Sequence, residues 1–220
     1  MSLVLSIEKN SRSYPADLVE EWFGVAESRR IFSIKNERRR AESIAGLVAL
    51  KNALGDISST SILRDSNGRP RFADKTGIDF SISHSGILSV AALTKSPSGR
   101  VGVDIEKVEV DEKKEDTHRR IAGRYFSDEE KLAFYASSTS VEFYRIWTAK
   151  EARAKLTGVG LAALLSSSQP LNISQNEEYH FMHFLLTYND EEYVLTVCTD
   201  EDDVINFVCG DDIKITRLTA

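Results

Sequence analysis

The stretch Val101-Gly102-Val103-Asp104-Ile105-Glu106 constrains the fold more tightly than any other segment of the 220-residue chain. In an extended strand alternate side chains share a face. Val101, Val103 and Ile105 then form an apolar face, and Gly102, Asp104 and Glu106 a polar one. The apolar face must be covered by a core. On the other face, two carboxylates two residues apart repel unless something positive sits between them. Oxygen ligands of this kind suit Mg²⁺, which takes one or a few carboxylates together with waters and substrate phosphates. The competing structural explanation is a solvated strand face.

The surroundings mix strands and helices. Residues 3–8, 78–84 and 87–94 read as strands, with Ser85-Gly86 able to turn the chain between the last two. Residues 16–34 and 36–54 read as helices, the second carrying Ile44, Leu47, Val48 and Leu54 at helical spacing and ending at Gly55-Asp56. Asn67-Gly68 signals a turn. The charge run 111–118 is a loop or a solvated helix surface. Ser127 and Glu130 have the spacing of a capping box, and Thr139 and Glu142 repeat it before a longer helix that runs to about Leu156 and stops at Gly158 and Gly160. Residues 166–170 (SSSQP) form a loop, and the rest, with FMHFLLTY, YVLTVCT and VINFVC, is strand-rich. Helices and antiparallel hairpins together give an α+β class.

Hydrophobic residues make up 41% and charged residues 28%, enough for a sizeable core. The net charge of −6 is unevenly spread: residues 1–102 hold 15 Lys+Arg against 11 Asp+Glu, and residues 103–220 hold 13 against 23. The change of sign near residue 102 suggests a boundary between two subdomains, 1–102 and 103–220. An acidic whole argues against nucleic-acid binding, while a basic half can receive an anionic small molecule. No run of eighteen apolar residues predicts a membrane span, and the opening MSLVLSIEKN lacks the pattern of a secretory signal. Cys198 and Cys209 lack CxxC spacing, which fits free thiols in a reducing compartment. A cytoplasmic protein is expected.

Two further segments carry chemistry. In FYRIWTAKEARAKLTG, residues four apart share a helix face, so Trp147, Glu151 and Lys155 line up, with Lys150 beside them. Glu151 can complete a metal site and Lys155 can meet a phosphate oxygen; otherwise the two form a surface ion pair and Trp147 anchors a core. In SISHSG, His84 at a strand end can donate to a phosphate or stack on a base, or it can be a structural histidine.

The ordered set GRPRF, FSISHSG, VGVDIE and WTAKEARAK over residues 68–155 resembles the 4′-phosphopantetheinyl transferases, specifically the longer, two-halved surfactin-synthetase-activating type. The resemblance implies an Mg²⁺-dependent transfer of the phosphopantetheine arm of coenzyme A to a serine of an apo acyl or peptidyl carrier protein, with adenosine 3′,5′-bisphosphate released. It implies Asp104, Glu106 and Glu151 as metal ligands, and Lys155, assisted by Lys150, on the pyrophosphate. His84 with Ser83 would meet the 3′-phosphate, and Arg69 and Pro70 the adenine end. The catalytic set is then Glu151, Lys155 and Glu130. The general base is Glu151, directly or through a metal-bound water, or Glu130, which also fits the capping box. The family has an arginine shortly before Gly46, where this chain has Glu42. Arg38, Arg39 and Arg40 are the nearest substitutes; they point 100° apart on a helix, so not all three can reach the 3′-phosphate, and the expectation falls on Arg40, then Arg39. The implied fold is a monomeric pseudo-dimer of two similar α/β halves with the coenzyme in the cleft between them: residues 1–102 on the 3′-phosphate and adenine side, 103–220 supplying metal ligands and the catalytic helix.

Two rival functions use the same residues. Another Mg²⁺-dependent phosphoryl enzyme, such as a phosphohydrolase or nuclease, could use the carboxylates, though the acidic half argues against a nucleic-acid groove. A non-catalytic relative that only binds carrier proteins would leave Asp104, Glu106, Glu151 and Lys155 without purpose.

Overall fold

A computed structural model describes residues 2–10, 14–56, 60–74, 77–162, 178–201 and 204–218. The expected loop at 166–170 lies outside them.

The alternating strands expected in the first half form as β1 (Ser2–Lys9), β4 (Asp79–Ser85) and β5 (Leu88–Thr94). The turn between β4 and β5 sits at Gly86-Ile87, one residue later than Ser85-Gly86, because Gly86 takes the left-handed backbone (φ +58°). A short hairpin, β2 (Ile62–Arg64) with β3 (Pro70–Phe72), surrounds the Asn67-Gly68 turn. The second half contributes β6 (Val101–Lys107), β7 (His180–Tyr188), β8 (Glu191–Thr199), β9 (Val204–Val208) and β10 (Lys214–Leu218).

The strands divide into two four-stranded sheets, β4-β5-β1-β9 and β10-β7-β8-β6. β9 leaves the second half of the chain to pair in parallel with β1, from Ser2↔Val204 to Ser6↔Val208. Its side chains alternate, Ile205 and Phe207 packing inward. One apolar cluster takes Leu3, Leu5, Ile7 and Val90 from the first sheet and Val103, Ile105, Leu195 and Val197 from the second.

Helices cover the remaining faces. α1 (Ala16–Phe32) and α2 (Glu37–Leu54) pack Phe23, Ile31, Leu47 and Leu50 against Ala91 and Leu93 of β5. Asn36 caps α2, accepting from Arg39 N at 3.0 Å. The charge run becomes the start of α3 (Glu112–Tyr125), where Asp111 accepts from Lys114 N. α4 (Asp128–Ala136) opens with the expected Ser127/Glu130 capping box. α5 (Val141–Thr157) does not use the expected Thr139/Glu142 box. Its N-cap, Ser140, has helical backbone and no side-chain cap bond, and Glu142 turns to Arg145 at 2.6 Å. Gly158 ends α5 in the left-handed region (φ +73°).

Two features bring α5 and both sheets to one place. Gly102 lets β6 approach α5 closely: a Cβ there would stand 1.9 Å from Ala152 O and 2.8 Å from Leu156 N. Then β4 and β6 lie side by side without a backbone ladder. Asp79, Ser81, Ser83 and Ser85, alternate residues of β4, accept from the backbone N–H of Val101, Val103, Ile105 and Lys107, always 22 residues on. The constant offset means that the strands run in the same direction.

Candidate active site

The serines of β4 also reach the acids of β6. Ser83 Oγ donates to Asp104 Oδ1 at 2.7 Å, and Ser85 Oγ to Glu106 Oε2 at 2.9 Å. Asp104 is buried, and its Oδ2 has no hydrogen-bond partner. From α5, Lys155 Nζ contacts Asp104 Oδ1 at 2.7 Å. Burial raises the Glu106 carboxyl to about 7, with Asp104 adding repulsion and Ser85 opposing. Burial likewise raises Glu151 to about 7, helped by Asp104 and then by Glu106. The three acids therefore sense one another, and Lys155 stands among them as the local cation.

These residues suit a hard divalent ion chemically, offering a buried carboxylate oxygen without a partner and two neighbouring acids whose ionisation a cation would favour. Among the described residues, no three His, Cys, Asp or Glu side chains already converge into a metal cage.

Glu151 and Lys155 line a cavity of about 360 Å³, together with Arg69, Pro70 and His84. Arg30 and Arg64 line it too. A second cavity, of about 760 Å³, takes in Glu106, Lys107, Arg38, Tyr144 and Trp147. Within the first, Arg69 Nη2 donates to Asp79 Oδ2 at 2.6 Å. The turn before Arg69 is tied to the end of α5 by Asn67 Nδ2 donating to Gly158 O. Three guanidinium groups, of Arg30, Arg64 and Arg69, and the Lys155 ammonium line one cavity, a set of donors chemically suited to phosphate oxygens.

The sequence model of the 4′-phosphopantetheinyl transferase superfamily matches residues 100–203. The 4′-phosphopantetheinyl transferase AcpT of Salmonella typhi is 36% identical over 123 residues, 54% of this chain and 60% of the relative. A 4′-phosphopantetheinyl transferase of Bacillus subtilis is 32% identical over 149 residues, 62% and 61% of the two chains. The chain thus spans about 60% of the length of these relatives. AcpT of Escherichia coli O157:H7 matches further, 31% identical over 164 residues that make up 73% of this chain and 76% of the relative. The chain belongs to the 4′-phosphopantetheinyl transferase superfamily.

The superfamily motifs differ in where they bring their residues. Asp104, Glu106, Glu151 and Lys155 gather as described, and Arg69, Pro70 and His84 line the first cavity. Ser83 is buried against Asp104 and is absent from the cavity wall. Lys150 and Glu130 line neither cavity. They form a fully buried pair, Lys150 Nζ to Glu130 Oε2 at 2.8 Å, and the same oxygen accepts from Ser127 N. Neither Arg39 nor Arg40 lines the first cavity; Arg40 Nη1 donates to Ile34 O. Arg38 turns to Glu42 at 2.9 Å. Glu42, where the superfamily resemblance leads one to expect arginine, is buried and faces His84 Nδ1 at 3.6 Å. Partial burial holds the His84 imidazole below its usual pKa despite Glu42.

Sequence reasoning missed Arg30 and Arg64. One signal was available. Glu27 falls on the four-residue spacing of Val19, Phe23 and Ile31, so it interrupts the buried stripe of α1. A carboxylate in such a stripe needs a cationic partner nearby.

Proposed function

We propose that the protein transfers the 4′-phosphopantetheine arm of coenzyme A to a serine of an apo carrier protein, with Mg²⁺. The observation that carries this reading is one cavity lined by Glu151 and Lys155 together with the guanidinium groups of Arg30, Arg64 and Arg69, in a chain of this superfamily. The coenzyme's pyrophosphate lies at the Lys155 end, and its adenosine phosphate toward the arginines, with Arg69, Pro70 and His84 along the nucleotide. Asp104, Glu106 and Glu151 would hold the ion, which supplies charge neutralisation on the pyrophosphate. Lys155 adds a mobile positive charge to the same phosphates.

In the transfer, the serine Oγ forms a bond to the phosphorus that bears the pantetheine, and the bond from that phosphorus to the bridging oxygen breaks. Adenosine 3′,5′-bisphosphate leaves with the electron pair. Glu151 is the carboxylate suited to take the serine proton, since it lines the cavity. Glu130 is engaged by Lys150 and Ser127. The second cavity, on the Glu106 side, leaves room for the serine to approach.

The same reading treats the chain as a monomeric pseudo-dimer with halves at 1–102 and 103–220, the coenzyme in the cleft between them, and β9 as an exchanged strand. It favours a cytoplasmic protein; no described helix is long and apolar enough to cross a membrane.

Intact-mass spectrometry of a panel of apo carrier proteins, incubated with the protein, coenzyme A and Mg²⁺, tests this directly. A gain of one phosphopantetheine group on at least one carrier supports it. No gain on any carrier, with coenzyme A still bound, would make the chain a binding relative.

A further inference from the structure

An acid lies in the wall of a cavity that must attract phosphate. Glu27 is 2% exposed, and both its oxygens are occupied by arginine. Oε1 accepts from Arg30 Nη2 at 2.7 Å and from Arg64 Nη2 at 3.0 Å, while Oε2 accepts from Arg30 Nε at 3.0 Å. Burial pushes this carboxyl up, yet Arg30 and Arg64 together outweigh burial and hold it below the usual range.

The arrangement solves a physical problem. Two guanidinium groups on one cavity wall repel, and each loses rotamer freedom if it must be held still. A shared carboxylate behind them offsets the repulsion and fixes both planes. A guanidinium has five N–H donors. Arg30 commits two to Glu27, and Arg64 one to Glu27 and one to Gly68 O, leaving the others of each group for a ligand. The side chains of Arg30 and Arg64 keep about a third of their surface open. Two adjacent forks suit a group with three terminal oxygens and two charges, better than a carboxylate or a neutral base.

We propose that Glu27 is a positioning residue that holds Arg30 and Arg64 as a paired clamp for a phosphomonoester, and that it thereby makes the site select a nucleotide phosphorylated on its ribose over the same nucleotide without that phosphate. This rests on the proposed coenzyme A chemistry. Glu27 touches no ligand itself, and its effect passes through the two arginines.

The test is calorimetric titration of the whole chain with coenzyme A and with 3′-dephospho-coenzyme A, for the wild type, Glu27→Gln and Arg64→Gln. The wild type is expected to prefer the phosphorylated coenzyme. Glu27→Gln should reduce that preference by roughly tenfold, while affinity for the dephospho form changes little. Arg64→Gln, on an exposed hairpin, serves if the buried variant does not fold, and should show the same loss. An unchanged ratio in the folded variants, or equal weakening of both ligands, overturns the clamp. A wild type that binds coenzyme A without preference overturns the clamp alone. A wild type that binds neither form overturns the coenzyme reading, and the clamp with it.

Discussion

Ser83 donates to Asp104 across 2.7 Å, and the same hydroxyl accepts from the backbone of Ile105 at 3.4 Å. One small side chain thus aligns the edge of one sheet with the other and fixes an acid of the candidate site. Replacing it with alanine takes the acceptor from the buried Ile105 N–H and leaves Asp104 Oδ1 with Lys155 alone. Ser83→Ala should cost about 1–3 kcal/mol of stability, read by urea denaturation, and should lower turnover as Asp104 loses its orientation.

Asp104→Ala should abolish transfer to a carrier while leaving the far-ultraviolet circular dichroism unchanged. Asp104 contacts Lys155 and Ser83, and its buried Oδ2 has no hydrogen-bond partner. Retained transfer in the folded variant would remove the metal assignment.

Glu130 and Lys150 form a fully buried pair that ties the start of α4 to the helix carrying Glu151 and Lys155. Removing one member of such a pair strands the other charge, at a cost of about 3–5 kcal/mol. Lys150→Met should therefore lower the melting temperature sharply. Glu130→Gln keeps the cap geometry and should also act mainly through stability. A large fall in turnover with melting unchanged would instead give Glu130 a chemical role.

Gly102→Ala should be among the most damaging single substitutions. The added methyl meets backbone of α5 at Ala152 and Leu156, which cannot yield as a side chain does. A loss of about 3 kcal/mol or more is expected in urea denaturation. A neutral result would mean that β6 and α5 do not approach so closely.

His183, buried on β7 beside the Thr196 hydroxyl, is pushed down to about 3 by burial, with Arg145 adding repulsion. The unfolded chain takes up this proton near pH 6.5 and the folded chain refuses it. Stability is therefore lost as pH falls through the window from 6.5 toward 3. Glu106 and Glu151, raised from 4.5 to about 7, act with the opposite sign, losing stability as pH rises from 4.5 toward 7. The effect of His183 is thus seen as a difference: the stability of wild type relative to His183→Gln should fall by about 2 kcal/mol between pH 7 and pH 5. A pH-independent difference would count against it.

What was legible in the sequence was local. The two faces of β6 follow from a period of two, the Ser127/Glu130 box from a spacing of three, and the alignment of Glu151 with Lys155 from one helical turn. Their side chains gather as those periods suggest. Thr139 and Glu142 show that spacing alone is insufficient, because Arg145 offered Glu142 a better partner. The remaining features depend on residues far apart in the chain. Nothing near Glu27 announces Arg64, 37 residues on. Arg39 and Arg40 had the right charge near the right glycine, yet α2 turns them from the cavity that Arg30 reaches from α1. Likewise Lys150, adjacent to Glu151 and turned about 100° from it around the helix, lies in the core.

The parallel pairing of β9 with β1 makes the order of synthesis matter. β1 leaves the ribosome well before β9, so one of its edges waits for a strand about 200 residues later. Until then the nascent first sheet offers an open row of backbone donors and acceptors, a template for pairing with another chain. Closing that edge is a long-range contact and so a slow one. A polypeptide cut after residue 203 should therefore aggregate rather than fold as a smaller unit, although every residue of the candidate site lies upstream of the cut.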